Sequence, residues 1–357
     1  MKAVFRKSAI YAGWLILIFP SQLLFSGTLD ISSGTHHFPE NFTQKTHHYY
    51  NEKGRKLATI IFGPGAVRKD STEYTYDERR LLTEEVTYTS DNELVRRRVT
   101  TYNHRGQVVE QTETDKHGGV LERNVYRYDD DGLRTEWRLY EKNGRHKWTR
   151  RYLYDKKGNR IEERWLDPRG ILSKLYVFAY HESGLMTGQN VYGRYGELKW
   201  RYAYDYDKQG RRIAVRWYDE DDELKWVRTS RWDADGNMTE QRRYNAWRRF
   251  FSRGQGYRLE HRKVFSYDDR GKRTEQRVYD NRGRMFWAIE KGYDQAGNLV
   301  SYVNYDHRGR VEYRYEIAYN EAGRQTAWRW YEGADKLVWK RFYIYDAEGR
   351  LIQELIY

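Results

Sequence analysis

Residues 128–158 read YDDDGLRTEWRLYEKNGRHKWTRRYLYDKKG. One device recurs three times in this stretch: a tyrosine, a few polar residues, then a glycine, at Tyr128 to Gly132, Tyr140 to Gly144 and Tyr154 to Gly158. Asp accepts hydrogen bonds from its own backbone two residues on, and Gly supplies the positive φ that closes a tight turn. Between the turns lie β-formers: Trp137, Leu139, Trp148, Tyr152. Each segment therefore reads as a short strand, and two strands make a hairpin.

Worked outward, the pattern covers the chain from about Tyr49 to Tyr357. Gly106, Gly118, Gly132, Gly144 and Gly158 advance by alternating steps of 12 and 14, so the hairpin unit has a period of 26. Ala66, Arg80, Asn92, Asp222 and Asp335 replace the glycine without disturbing the step. The expected fold is all-β: a long antiparallel meander of about 24 short strands, curled into a coil, tube or shell because long sheets twist. One interruption stands out. The extended loop at 245–258 is longer than the register needs and carries Trp247, Arg248, Arg249, Phe250, Phe251 and Arg253, a candidate interaction loop.

Side chains alternate across a strand. One face of the segment after Gly196 carries Leu198, Trp200, Tyr202, Tyr204 and Tyr206, and Arg134, Glu136, Arg138 and Tyr140 are expected on that same face. Simple turn closure sets Arg138 opposite Trp148, Arg216 opposite Trp226, Arg277 opposite Trp287 and Arg329 opposite Trp339. Trp148, Trp200, Trp226, Trp287 and Trp339 form a candidate aromatic ladder on one face, built from cation–π pairs. The other face is expected to be mixed, with Trp165, Trp217, Trp328 and Trp330 beside Lys147 and Arg151.

The Tyr-Asp-x-x-Gly copies, such as those at 154–160 and 204–212, resemble the YD repeats of the bacterial RHS family, with a weaker likeness to MORN-type repeats. The resemblance implies an antiparallel ribbon wound into a hollow shell, often on exported or surface proteins.

The remaining chain bounds the function. Lys2, Arg6 and Lys7 precede an apolar run, the pattern of a signal peptide at 1–26, and 27–48 reads as a linker or irregular cap. Export places the protein in a bacterial periplasm, on a cell surface or outside the cell. There are no cysteines, which excludes disulfides and thiolate chemistry. His36, His37, His47 and His48 lack a metal-ligand spacing. No catalytic pair, metal site or cofactor motif stands out, so no enzyme is expected. The net charge is +13, about +10 without the signal segment, which favours acidic partners. A transmembrane barrel is disfavoured by Lys and Arg at mid-strand on both faces. The expected role is a structural or interaction module at the cell envelope, with protein or envelope glycan as partner. The alternatives are glycan binding by the aromatic face and anionic-polymer binding by the basic surface. Export argues against nucleic acid.

Overall fold

A computed structural model describes residues 42–248 and 255–357. The expected signal peptide, most of the linker, and Arg249, Phe250, Phe251 and Arg253 of the candidate loop lie outside the described residues.

The described chain forms 24 antiparallel strands in one sheet, each paired with the next in sequence. The last strand, Leu351–Ile356, pairs back onto the first, Gln44–Tyr50, with Thr46 opposite Glu354. Of the coil, tube or shell expected, the pairing selects a closed barrel. The first strand starts ahead of Tyr49, so Gln44 to His48 belong to the wall and not to the linker. They reach it because the seam supplies partners on both sides.

Each unit is held by its turn. The Asp155 amide donates to the Asn159 carbonyl (2.9 Å) and the Gly158 amide to the Asp155 carbonyl (3.0 Å), with Gly158 at φ 81°. The Asp155 carboxylate accepts the amides of Lys157 (2.8 Å) and Asn159 (2.9 Å). Ala66, Arg80, Asn92 and Asp222 hold the same positive φ without being glycine. At the penultimate turn, however, Gly333 takes the positive φ and not Asp335, because its amide bonds back to the Glu312 carbonyl.

The motif tyrosine has its own task. The Tyr154 hydroxyl donates to the Arg134 carbonyl (2.8 Å), at the start of the neighbouring strand. Tyr102, Tyr128, Tyr180, Tyr206, Tyr293, Tyr319 and Tyr345 repeat this bond with the residue twenty positions earlier. At the seam Tyr50 makes it with the Leu351 carbonyl (3.0 Å), so the ring is closed by the interaction that joins its units.

A β-bulge beside each turn corrects the expected register. Tyr279 pairs with Met285 as simple turn closure requires, but Phe286 is extra, and Val278 then opposes Trp287. Leu139 opposes Trp148, Trp217 opposes Trp226, and Trp330 opposes Trp339 in the same way. The expected partners Arg138, Arg216, Arg277 and Arg329 therefore lie on the opposite face. A one-residue slip exchanges faces because the side-chain period is two.

Followed strand to strand, the register puts Trp148, Trp200, Trp226, Trp287 and Trp339 on one face, together with Trp137, Trp165, Trp217, Trp328 and Trp330. The supposed mixed-face tryptophans thus join the ladder. This face is the better covered one. In the strand Arg145–Tyr154, Trp148, Arg150 and Tyr152 are sheltered, while Lys147, Arg151 and Leu153 are exposed. Curvature crowds side chains on the concave side, so the aromatic face is the inner wall.

The outer wall carries the Arg-Glu ladders. Arg123 pairs with Glu110 (2.9 Å), Arg151 with Glu136 (3.0 Å) and Arg242 with Glu240 (3.0 Å). Wide barrels with a lipid-facing wall show a continuous apolar band there; on this wall the charged ladders interrupt any such band. Inside, 24 strands spaced about 4.8 Å give a perimeter of roughly 115 Å, too wide for side chains to fill. Only eleven apolar residues among those described are buried, and Val191 alone is fully so. The lumen is therefore open to solvent.

Candidate functional site

The inner wall is divided into sectors. The first is aromatic. Trp137 meets Trp148 edge-on (4.8 Å), Trp165 meets Tyr176 (5.5 Å), Trp200 meets Tyr202 (5.2 Å), and Tyr202 meets Trp226 (5.8 Å). Arg150 bridges Trp148 and Trp165, its guanidinium 4.6 and 3.9 Å from the two ring centres. The ladder does use cation–π contacts, but its cation comes from the same face and not from the Arg-Glu-Arg strands. A second aromatic sector begins with Tyr302 stacked on Tyr315 (4.5 Å, 7° between planes) and continues through Trp328 to Trp339.

Between them the wall becomes basic. Arg228 lies directly opposite Arg243, Arg243 opposite His261, and Lys263 opposite Val278. Lys291 follows, opposite Tyr302. Burial first, then Arg228 and Arg273, lowers the pKa of Lys263. Burial and Arg273 do the same to Lys291.

Where this basic sector meets the second aromatic one, a cleft of about 810 Å³ opens at the barrel rim. Trp287, Ile289, Tyr302 and Tyr313 form its apolar floor; Asn304, Glu312, Asp306, His307 and the ion pair of Asp280 with Arg284 (2.8 Å) supply its polar edge. Tight turns position these groups. Asp306 closes one, accepting the amides of Arg308 (2.8 Å) and Arg310 (2.9 Å), and the Arg310 amide above all holds its carboxyl down to about 2. The Asn304 amide donates to Glu312 (2.8 Å), fixing both. Nearby, the Tyr305 hydroxyl donates to Glu290 (2.7 Å), and burial followed by that bond raises it to about 12. Flat rings beside fixed acceptors suit a ligand with apolar ring faces and hydroxyl edges.

Of the five ladder tryptophans, Trp287 alone lines this cleft. The candidate loop takes a different form from the one expected. The strands Met238–Arg248 and Gln255–Tyr267 continue pairing, with Trp247 opposite Gly256 and Arg248 opposite Gln255. The 245–258 segment is thus mostly a lengthened hairpin, because its β-forming residues extend the ladder. His47 and His48 are wall residues, His48 bonding Thr59 (3.1 Å) and Glu354 (3.2 Å), while His36 and His37 lie outside the described residues. Among the described residues no group of three His, Cys, Asp or Glu is placed to hold a metal ion. The sequence reading missed Tyr302, Asn304 and the basic sector. A register that included the bulges would have put Tyr302 opposite Lys291 and Asn304 opposite Ile289, on the face that carries Trp287.

No described protein family matches the sequence, and no curated protein matches it either. Solved structures give distant likenesses. A complex titled TcdB2-TccC3-Cdc42 is 13% identical over 86% of this chain and 19% of that one, with a TM-score of 0.37. TcdB2-TccC3 is 11% identical over 85% and 23%, with a TM-score of 0.31. A porin-like protein from Bacteroides uniformis is 11% identical over 74% and 94%, with a TM-score of 0.28. The chain spans about a fifth of the length of the first two.

Proposed function

We propose that this chain is a non-enzymatic interaction module of the bacterial envelope or exterior, a hollow barrel that binds carbohydrate at its lumenal rim. The rim cleft carries this reading: Trp287, Tyr302 and Tyr313 offer ring faces, and Asn304 and Glu312 offer fixed polar atoms at their edge. Aromatic rings take the apolar face of a sugar, and the polar edge takes its hydroxyls. The outer wall, bound up in Arg-Glu pairs, is the scaffold.

The test is binding of the full chain to a panel of neutral envelope glycans, read by calorimetry at low and high salt. Binding is expected to survive high salt, since stacking is not screened as charge is. Trp287→Ala is expected to weaken it about tenfold or more, a loss of at least about 1.4 kcal/mol. Trp137→Ala, in the distant aromatic sector, leaves it unchanged. Equal losses in both variants would mean that the rings serve only the wall.

A further inference from the structure

Several charges on the inner wall are matched by carboxylates. Arg98 bonds Glu113 (2.7 Å) and Glu85 (3.3 Å), and Glu354 serves His48 (3.2 Å) and Arg341 (3.7 Å). Single cations elsewhere on this wall, Arg134, Lys174 and Arg212, rest on the rings of Trp137, Trp165 and Tyr204; the basic sector differs in gathering several cations on neighbouring strands. Arg243 has Glu260 at 2.8 Å. Arg228, Lys263, Arg273 and Lys291 have no carboxylate within ion-pairing reach among the described residues. Two of them rest on aromatic rings, Arg228 5.4 Å from Trp226 and Arg273 5.4 Å from Phe265, and the positive charge of Arg273 is felt at both Lys263 and Lys291. Like charges directly opposite each other destabilise a sheet, and Arg228 faces Arg243. The sector spans five consecutive strands, an arc of roughly 20 Å. It runs into the rim cleft through Tyr302, the register partner of Lys291.

We propose that this sector binds the carboxylate groups of an acidic polysaccharide whose sugar rings occupy the rim cleft. The inference rests on the carbohydrate reading and names the substrate class. Two adjoining regions of different character select that ligand. The sector supplies unpartnered cations, while the adjoining cleft edge holds acids that are already engaged: Asp280 with Arg284 (2.8 Å), Asp306 with Arg310 (2.7 Å) and Glu312 with the Asn304 amide (2.8 Å). A chain charged at every unit, such as a nucleic acid, would find no free cation at that edge, because Arg284 and Arg310 are taken up by Asp280 and Asp306. A chain of hydroxyl-rich rings bearing spaced carboxylates donates to the acids at one end and accepts from the cations at the other.

The experiment titrates the full chain with polygalacturonate, with its fully methyl-esterified form and with single-stranded DNA. The acid form is expected to bind about tenfold or more tightly than the ester, with an affinity that falls as salt rises. The double variant K263Q/K291Q is expected to lose that preference while still binding the ester. It should also unfold at a higher denaturant concentration than the parent, because a repulsion has been removed; this checks that the fold is intact. Equal binding of acid and ester by the parent would overturn the proposal and leave the carbohydrate reading standing. A preference that survives K263Q/K291Q, or DNA binding as tight as the acid form, would overturn it in favour of general charge attraction. Binding of neither sugar, together with failure on the neutral panel, would sink the carbohydrate reading itself.

Discussion

Turn carboxylates decide how the wall responds to acid. Asp77, Asp167 and Asp306 accept backbone amides, from Leu81, Ile171 and Arg310 foremost, and all titrate below their ordinary value, Asp306 at about 2. The unfolded chain titrates near pH 3.9. These groups therefore stabilise the fold fully above about pH 4 and lose that contribution as pH falls through their folded values. His47 adds to this on the same side. Burial, then Lys45 and His48, lowers it from 6.5 to about 4, so the unfolded chain gains its proton first and stability declines from about pH 6.5 downward. Denaturant midpoints should fall in two stages, a shallow one from pH 6.5 to 4 and a steeper one from 4 to 2. His47→Phe should shrink the first stage to the part contributed by His261, which burial also lowers; a first stage of unchanged size in that variant would assign it elsewhere.

At the scale of the element, the hairpin is fastened by its tyrosine as much as by its turn. Tyr154→Phe keeps the ring and removes only the hydroxyl bond to the Arg134 carbonyl. It is expected to lower stability by about 1 kcal/mol, and hydrogen exchange should quicken first at the start of the strand Arg134–Glu141. An unchanged midpoint would make the hydroxyl incidental. This scale also separates what was legible from what was not. The turns at Asp155 and Asp207 announce themselves, because Asp and Gly chemistry is local, and with them came the strand number. The bulge residues Lys147, Lys225, Phe286 and Val338 carry no such signal. Missing them moved four arginines to the wrong face. The cleft and the basic sector join residues such as Lys263, Lys291 and Tyr302 from separate strands, so neither could be seen before the bulges were placed. Gln44 to His48 read as linker because half of their pairing comes from the strand Leu351–Ile356, at the far end of the described chain.

The whole molecule depends on its seam. Closure joins strands from the two ends of the described chain through Thr46 and Glu354, Tyr50 and Leu351, and the Thr43 amide on the Ile356 carbonyl (2.7 Å). Because the chain has no native cysteine, the double variant T46C/E354C carries the only two thiols. Under mild oxidation it should form one intramolecular disulfide in high yield and migrate faster on a non-reducing gel. An open sheet would hold those thiols too far apart for a disulfide to bridge and would stay reduced. Closure also imposes a counting rule. In a meander each strand reverses the last, so the first and final strands run in opposite directions only when their number is even, as 24 is. Gaining or losing a single strand would bring two parallel edges together and leave the ring without its antiparallel join. A ring of this kind therefore changes circumference only by whole hairpins, and its gene lengthens or shortens by one full repeat at a time.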